Sequence, residues 1–441
     1  GGARWGFFPA VSAGWRISEE SFMQALSPVL SNLKIRGSWG KMGDDSGCGT
    51  YPPTVVGYAL NQRKLGWIIN GELIGGVSPT GVPNPNLTWY TAETYNAGID
   101  FDLWGSKLSG VFEVFERKRS GLFATSAAVI PGHVGVSMPQ ENINSDKTFG
   151  YEFSLSHRNT VAGVNYWVTA QISATKNRWD YFMAGDASNS MDFWYRNDVS
   201  GRNKDIWFAY EEGGRFGNYV DIRYHPTLGG GFGQQTLPGD YWYEDWNEDG
   251  VIDGNDRHPV ATYNLPVFNY GFTFGATWKG IDLSTTWQGV ANVYCSYDEV
   301  FTEVGPFNGG ASLTRYTNRW HTVNVTDDPW NPNTQWISGR YPATGHSFND
   351  GTTGIHDMSY LRLKTLEVGY TLLAKWLKVV GIKDLRVYFN AYNLLTFSKM
   401  DDMDPERPGR TGGSNNNRDQ GILFYNYPVN RTYNVGATLK F

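Results

Sequence analysis

The stretch Phe268-Asn269-Tyr270-Gly271-Phe272-Thr273-Phe274-Gly275-Ala276-Thr277-Trp278 decides the fold. Phe268, Tyr270, Phe272, Phe274, Ala276 and Trp278 share one parity. Asn269, Gly271, Thr273, Gly275 and Thr277 share the other. Successive side chains of a strand point to opposite faces, so the pattern predicts a strand with one apolar face and one polar face. The apolar set runs for about eleven residues, the length a tilted strand needs to cross a bilayer. Strands of soluble sandwiches are usually about five or six residues long.

The same alternation recurs outward in both directions. It is found over Val11–Ile17, Leu33–Trp39, Ala97–Leu103, Leu108–Val114, Tyr151–Leu155, Tyr166–Ile172, Leu283–Trp287, Leu366–Tyr370, Leu385–Ala391 and Tyr433–Phe441. Val111 alone interrupts the polar parity of its segment. The total is about eleven strands, and the fold class is all-β, a transmembrane antiparallel barrel.

Connections between these segments alternate in length. Trp104–Ser106, His157–Gly163 and Lys279–Ile281 are short, and Ser18–Asn32 has room for a short helix broken near Pro28. The opposite side carries long loops over Met42–Thr88, Arg119–Ser145, Arg178–Pro266, Asn292–Met358 and Thr396–Asn430. Short turns on one side and long loops on the other mark an outer-membrane barrel, with periplasmic turns and extracellular loops. The location implied is the outer membrane of a Gram-negative bacterium. Closed single-chain barrels carry an even number of strands. An odd count, with the first strand entering from the extracellular side, predicts an incomplete barrel whose open edges must find partners in lipid. The chain starts at Gly1-Gly2-Ala3 without an initiator Met, so a mature chain or a piece of a longer one is expected.

Composition narrows the classes. Aromatics at 15% and charged residues at 18% rule out disorder, which is aromatic-poor and charge-rich. Net charge −6, from 37 basic and 43 acidic residues with no basic block, argues against nucleic acid as a partner. No apolar run approaches the roughly 20 residues of a membrane helix. Two cysteines, Cys48 and Cys295, are too few for a disulfide framework; both fall on the extracellular side, where a pairing is possible.

Several blocks carry a resemblance. Arg4-Trp5-Gly6-Phe7-Phe8-Pro9 followed by Val11-Ser12-Ala13-Gly14-Trp15-Arg16-Ile17-Ser18-Glu19-Glu20 resembles a block of the SusC-like TonB-dependent transporters of Bacteroidetes. So do Leu33-Lys34-Ile35-Arg36-Gly37-Ser38-Trp39-Gly40, Asn84-Pro85-Asn86-Leu87-Thr88-Trp89 and Tyr360-Leu361-Arg362-Leu363-Lys364-Thr365-Leu366-Glu367-Val368-Gly369-Tyr370. Asn393-Leu394-Leu395-Thr396-Phe397-Ser398 and Asp404-Pro405-Glu406 complete the set. The resemblance implies a 22-stranded barrel around an N-terminal plug. Residues 1–441 would then be the C-terminal part of the barrel, strands twelve to twenty-two. The plug, the TonB-contacting segment and the first half of the barrel would lie outside this chain. Implied partners are that N-terminal half, the TonB complex acting through it, a SusD-like surface lipoprotein and outer-membrane lipid.

One loop follows the grammar of an EF-hand calcium loop. Asp245, Asn247 and Asp249 stand at positions 1, 3 and 5, Gly250 at the sharp turn, Val251 at the carbonyl position, Asp253 at position 9 and Asp256 at position 12. Ca²⁺ takes six to eight oxygens, which such spacing can converge. Position 12 is Asp rather than Glu, and no flanking helices are evident. The competing reading is an Asx-rich turn bonding its own backbone. SusC-like chains carry such stretches, and a structural Ca²⁺ is the cofactor expected.

Aromatics crowd the long loops: Phe193, Trp194, Tyr195, Trp207, Tyr210, Tyr241, Trp242, Tyr243, Trp246, Trp320, Trp330 and Trp336. They suit either stacking on a sugar or peptide, or small cores within the loops and a docking face for a lid protein. No substrate-binding residue is assigned. Signatures of catalysis are weak. Gly229-Gly230-Gly231-Phe232-Gly233 lacks the Gly-Lys-Ser/Thr of a phosphate loop, and Asp401, Asp402 and Asp404 fit a solvated loop better than a carboxylate pair. The expected function is TonB-dependent import of an oligomeric glycan or peptide, without enzymatic activity. Alternatives are a non-transporting outer-membrane scaffold or adhesion module on the same barrel, and a soluble carbohydrate-binding β-protein.

Overall fold

The computed structural model describes residues 5–45, 57–61, 67–74, 76–79, 82–125, 138–183, 199–204, 206–226, 236–262, 265–296, 313–343, 351–372, 381–400, 404–406 and 428–441. Eleven strands form its large sheet: β1 (Ala10–Arg16), β2 (Leu30–Asp44), β3 (Tyr90–Leu103), β4 (Leu108–Thr125), β5 (Gln140–Val161), β6 (Val164–Tyr181), β7 (Phe268–Trp278), β8 (Ile281–Ala291), β9 (Tyr360–Leu372), β10 (Asp384–Ser398) and β11 (Thr432–Lys440). They are ordered exactly as in the sequence, each beside its neighbour in the chain. Among the described residues no helix is long and apolar enough to cross a membrane. The chain divides into two compact units, Gly1–Asn159 with Trp167–Lys204, and Thr160–Tyr166 with Asp205–Phe441.

In the first unit the register places like with like. Ile35 of β2 opposes Ile99 of β3, which opposes Phe112 of β4, which opposes Phe153 of β5. Ile35 remains 45% exposed and Phe112 40%, in an apolar row left open among the described residues. In the second unit Leu283, Val368, Phe389 and Val435 line up across β8 to β11 in the same way. Val435 is 79% exposed. A water-soluble protein rarely leaves so continuous an apolar face bare, whereas hydrocarbon solvates it. The opposite parity is polar in rows such as Ser284 with Glu367 and Asn390 with Asn434.

The short turns are built by backbone geometry. Lys279 and Gly280 have φ of 46° and 86°, and Ala162 and Gly163 have 50° and 79°. Two consecutive positive φ values make the type I′ hairpin, whose twist matches that of the flanking strands. Ile281 and His157, expected in turns, belong to β8 and β5. The Ser18–Asn32 connection holds two 3-10 turns, Ile17–Glu19 and Ser21–Leu26, and the second ends before Pro28.

Two departures from the sequence reading have physical causes. β4 has 18 residues and β5 has 22, so the loop expected over Arg119–Ser145 shrinks to the residues between Thr125 and Gln140. At about 3.3 Å per residue these strands outrun a hydrocarbon core of roughly 30 Å. Beyond lipid the ladder alone holds them and apolar alternation stops, so the pattern does not reveal them. The other departure is at Lys364. Pairing of β9 with both neighbours shifts there, between Thr286 and Trp287 on one side and between Leu363 and Thr365 on the other. The bulge absorbs a change of parity. Leu361 and Leu363 thereby stay on the apolar face with Leu366 and Val368, despite the odd-to-even switch in the sequence.

Sidedness makes a direct prediction for β7. Phe272→Arg, on the apolar face, is expected to destabilise the folded protein in liposomes by about 2–4 kcal/mol. Thr273→Arg, one residue on, should cost about 1 kcal/mol or less by the same scale, because it faces away from lipid. Denaturant titration in liposomes reads both, and equal effects would refute the assignment of faces.

Candidate functional site

The polar face is lined by ion-pair clusters, each spanning neighbouring strands. In the first unit Arg36 of β2 reaches Asp100 of β3 at 3.4 Å and Glu113 of β4 at 2.6 Å, and Asn96 also donates to Glu113. The guanidinium lies over Gly98, where a Cβ would collide with it. Nearer the long loops, the fully buried Asp146 of β5 accepts from Arg119 of β4 (2.8 Å from Nε) and from Lys204 Nζ at 2.7 Å. The Lys204 ammonium sits 3.9 Å from the centroid of the Trp179 ring. Lys204 follows β6, so this cluster pins a long loop to the strands beneath it.

The second unit repeats both devices. Arg386 of β10 bridges Asp282 of β8 and Glu367 of β9, the latter at 2.6 Å. Arg362 of β9, only 3% exposed, donates to Thr396 Oγ1 at 2.9 Å, Glu406 at 2.6 Å and Asp404 at 2.5 Å. The bulge residue Lys364 reaches the same Glu406 at 2.7 Å. Asp404 in turn accepts from the amides of Glu406 and Val429. Burial raises the pKa of the Asp404 carboxyl, but Arg362 and the two amides outweigh it and hold the group below the ordinary value. The segment Asp404-Pro405-Glu406 is thus tied down at both of its acidic residues. Asp401 and Asp402 lie outside the described residues.

The long loops of the second unit form their own small hairpins. Ile206–Ala209 pairs with His258–Thr262, and Glu212–Arg215 with Tyr241–Tyr243. Tyr210, Tyr243 and Ile252 pack into a buried cluster. Trp242 covers Gly213 and Trp320 covers Gly239, where a side chain would displace the rings. Arg215 holds the carbonyls of Gly239 and Arg340 and the Tyr241 hydroxyl. Most of the described loop aromatics are therefore packing residues. Trp246 and Trp330 keep about half of their surface, at 52% and 43%. Phe193, Trp194 and Tyr195 lie outside the described residues, as do Gly229–Gly233 and Cys48. Cys295 is buried beside Val293, Met358 and Met400.

The loop Asp245–Asp256 closes on itself. Asp245 accepts from the amides of Asp249 and Gly250, Asn247 from Asp249, and Asp249 from Val251. Asp253 caps the turn Gly254–Asp256 through the Asn255 amide, and the fully buried Asp256 accepts from the amides of Trp246, Asn247 and Asp253. Burial pushes the Asp256 carboxyl up, against the pull of those amides. Among the described residues no three His, Cys, Asp or Glu side chains converge as metal ligands. These bonds order the backbone of the loop around the Asp245, Asn247 and Asp249 side chains.

The sequence reading did not single out Arg362, Arg386, Asp146 or Asp240. For Arg386 a signal was present, a charged residue on the polar parity of an alternating segment; Arg362 lies across the parity switch at Lys364 and Asp146 beyond the apolar alternation of its strand. For Asp240 there was none.

An eleven-strand antiparallel sheet with one bare apolar face, one ion-paired polar face and long loops on one side is the wall of an outer-membrane β-barrel. The chain belongs to the TonB dependent receptor-like, beta-barrel family, which it matches over residues 1–278. It is 26% identical to TonB-dependent receptor P3 of Formosa agariphila over 99% of this chain and 42% of that protein. It is 25% identical to TonB-dependent receptor SusC of Bacteroides thetaiotaomicron, over 99% of this chain and 40% of that one. Among solved structures, the RagAB peptide importer in its open-open state superposes with a TM-score of 0.66 at 22% identity, covering 98% of this chain and 42% of that one. The chain thus spans about two-fifths of the length of the relatives it matches. It is an outer-membrane protein of a Gram-negative bacterium.

Three predictions follow from these loops. Arg362→Met removes the only cation, among the described residues, on the half-buried Asp404 and leaves Glu406 to Lys364 alone, at a local cost of roughly 3 kcal/mol, and should open the segment around Asp404 to proteolysis. Chelation tests the expected structural Ca²⁺ at 245–256: a bound ion predicts a lower thermal transition and faster cleavage there, and no change would leave the self-bonded Asx-rich loop as the reading. Asp240 is buried, with one oxygen accepting from the Leu237 amide at 2.8 Å and the other unpartnered. Burial lifts its pKa to about 6, against that amide and the Arg215 charge. A raised folded-state value means stability that is fully present below the unfolded pKa of about 3.9 and lost as pH climbs through about 6. Hydrogen exchange around 237–241 should therefore be slower at pH 4 than expected from pH 7, and Asp240→Asn should flatten that dependence.

Proposed function

We propose that this chain is wall and extracellular loops of a transporter that imports an oligomeric nutrient, a glycan or a peptide, through the outer membrane. The observation that carries the reading is the polar face of the sheet. Charged side chains sit there at the same strand level as the bare apolar rows, as a hydrated conduit lined by protein requires. A merely adhesive surface would need no ion-paired wall at bilayer depth.

The remaining assignments follow from this reading. The unpaired edges of β1 and β11 would be met by the N-terminal part of the same protein, because open ladders in hydrocarbon cost several kcal/mol for each unsatisfied group. That part would carry the plug and the contact with the TonB complex. A SusD-like lipoprotein would close the extracellular side, docking on the long loops with their aromatics. The likeness to SusC supports such a partner, and the fold likeness to RagAB supports the barrel.

The test is uptake in the producing organism. Deletion of the gene, of TonB or of the adjacent surface lipoprotein should each abolish growth on one oligosaccharide or oligopeptide, while growth on its monomers persists. Undiminished uptake without TonB would leave the non-transporting scaffold as the better reading.

A further inference from the structure

One row of the lipid-facing parity in the first unit is charged at every position. Register sets Lys41 of β2 opposite Glu93 of β3, Glu93 opposite Lys118 of β4, and Lys118 opposite Lys147 of β5. One pair of residues deeper, the same face shows Trp39, Tyr95, Glu116 and Phe149, three aromatics of the kind found at a membrane boundary around one carboxylate. Deeper still come Ile35, Ile99, Phe112 and Phe153. The charged row therefore begins where the hydrocarbon ends, on the long-loop side.

Lys118 and Lys147 stand directly across the ladder from one another, an arrangement that repels and destabilises. Asp180 of β6 offers partial relief, 2.8 Å from one ammonium and 3.3 Å from the other. One carboxylate between two lysines leaves a positive charge uncompensated. Arg178, on the same parity of β6, lays its guanidinium 5.3 Å from the centroid of the Phe149 ring, and Lys176 shares that parity. Glu93 and Glu116 oppose this group, but the cations outnumber the carboxylates. Both lysine side chains keep room for a ligand, at 40% and 37% exposure. In the second unit the apolar parity of the described strands continues to Leu361 and Phe397, and the charge beyond them is the single pair Lys399–Asp357.

We propose that Lys118 and Lys147, with Arg178 beside them, form a binding site for the phosphate-bearing headgroup of an outer-leaflet lipid. The three aromatics fix the depth, the apolar rows below receive the acyl chains, and the anion relieves the lysine pair. The site rests on the barrel reading, which assigns the long-loop side to the outer leaflet. It concerns lipid alone and adds no step to import.

The test uses the whole transporter, reconstituted in phosphatidylcholine nanodiscs doped with lipid A. Native mass spectrometry counts retained lipid, and a thermal scan reads stabilisation. The double variant Lys118→Gln/Lys147→Gln should retain lipid A about tenfold less or weaker, at the usual contribution of a cation near an anionic surface. Lys118→Arg/Lys147→Arg should retain it, and Lys279→Gln, on the short-turn side, should behave as wild type. Equal retention by the Gln variant would overturn the site. So would a full thermal shift from inorganic phosphate alone, which would make the row a general anion site. Loss of retention with uptake intact supports the site and leaves the transport reading standing; a wild-type protein that never enters the nanodisc would sink the barrel reading instead.

Discussion

Backbone amides in hydrocarbon have no water to bond, so a chain that crosses lipid must satisfy each of them internally. Strands do so only through neighbours, and a strand's side chains then divide by parity between lipid and the other side. Everything else in this molecule follows from that division. The apolar rows from Ile35 to Phe153 and from Leu283 to Val435 exist because one parity meets lipid. The clusters around Arg36, Asp146, Arg386 and Arg362 exist because the other parity does not.

The same division explains where strain and irregularity collect. The turns at Lys279-Gly280 and Ala162-Gly163 take left-handed backbone so that the next strand returns in register. At Lys364 the sequence breaks parity, and a bulge restores it. The extra residue is not wasted, since its ammonium joins Arg362 in gripping Glu406. A local defect of the sheet thus becomes the anchor of a loop.

Legibility in the sequence tracked the same constraint. Where lipid enforces alternation, as from Phe268 to Trp278, the strand is read to the residue. Where it does not, as in the upper halves of β4 and β5, polar residues such as Asn142 and Asn144 read as loop and prove to be strand. The loop interior was legible only in composition. Tyr210 and Tyr243 were visible as aromatics, but their packing on Ile252 depends on contacts between hairpins that no local pattern encodes. The calcium grammar of Asp245–Asp256 was visible as well. Grammar specifies oxygens at intervals, and the same oxygens serve equally to cap the loop's own amides.

The family match and the structure agree on the barrel, and the relatives are more than twice the length of this chain. The central claim is that two faces of one sheet meet two different solvents. Spin labels placed one at a time from Phe272 to Thr277 in the intact protein, in liposomes, test it most directly. Accessibility to oxygen should peak at 272, 274 and 276, and accessibility to a water-soluble nickel chelate at 273, 275 and 277. A profile without period two, or the same profile for both reagents, would contradict the account.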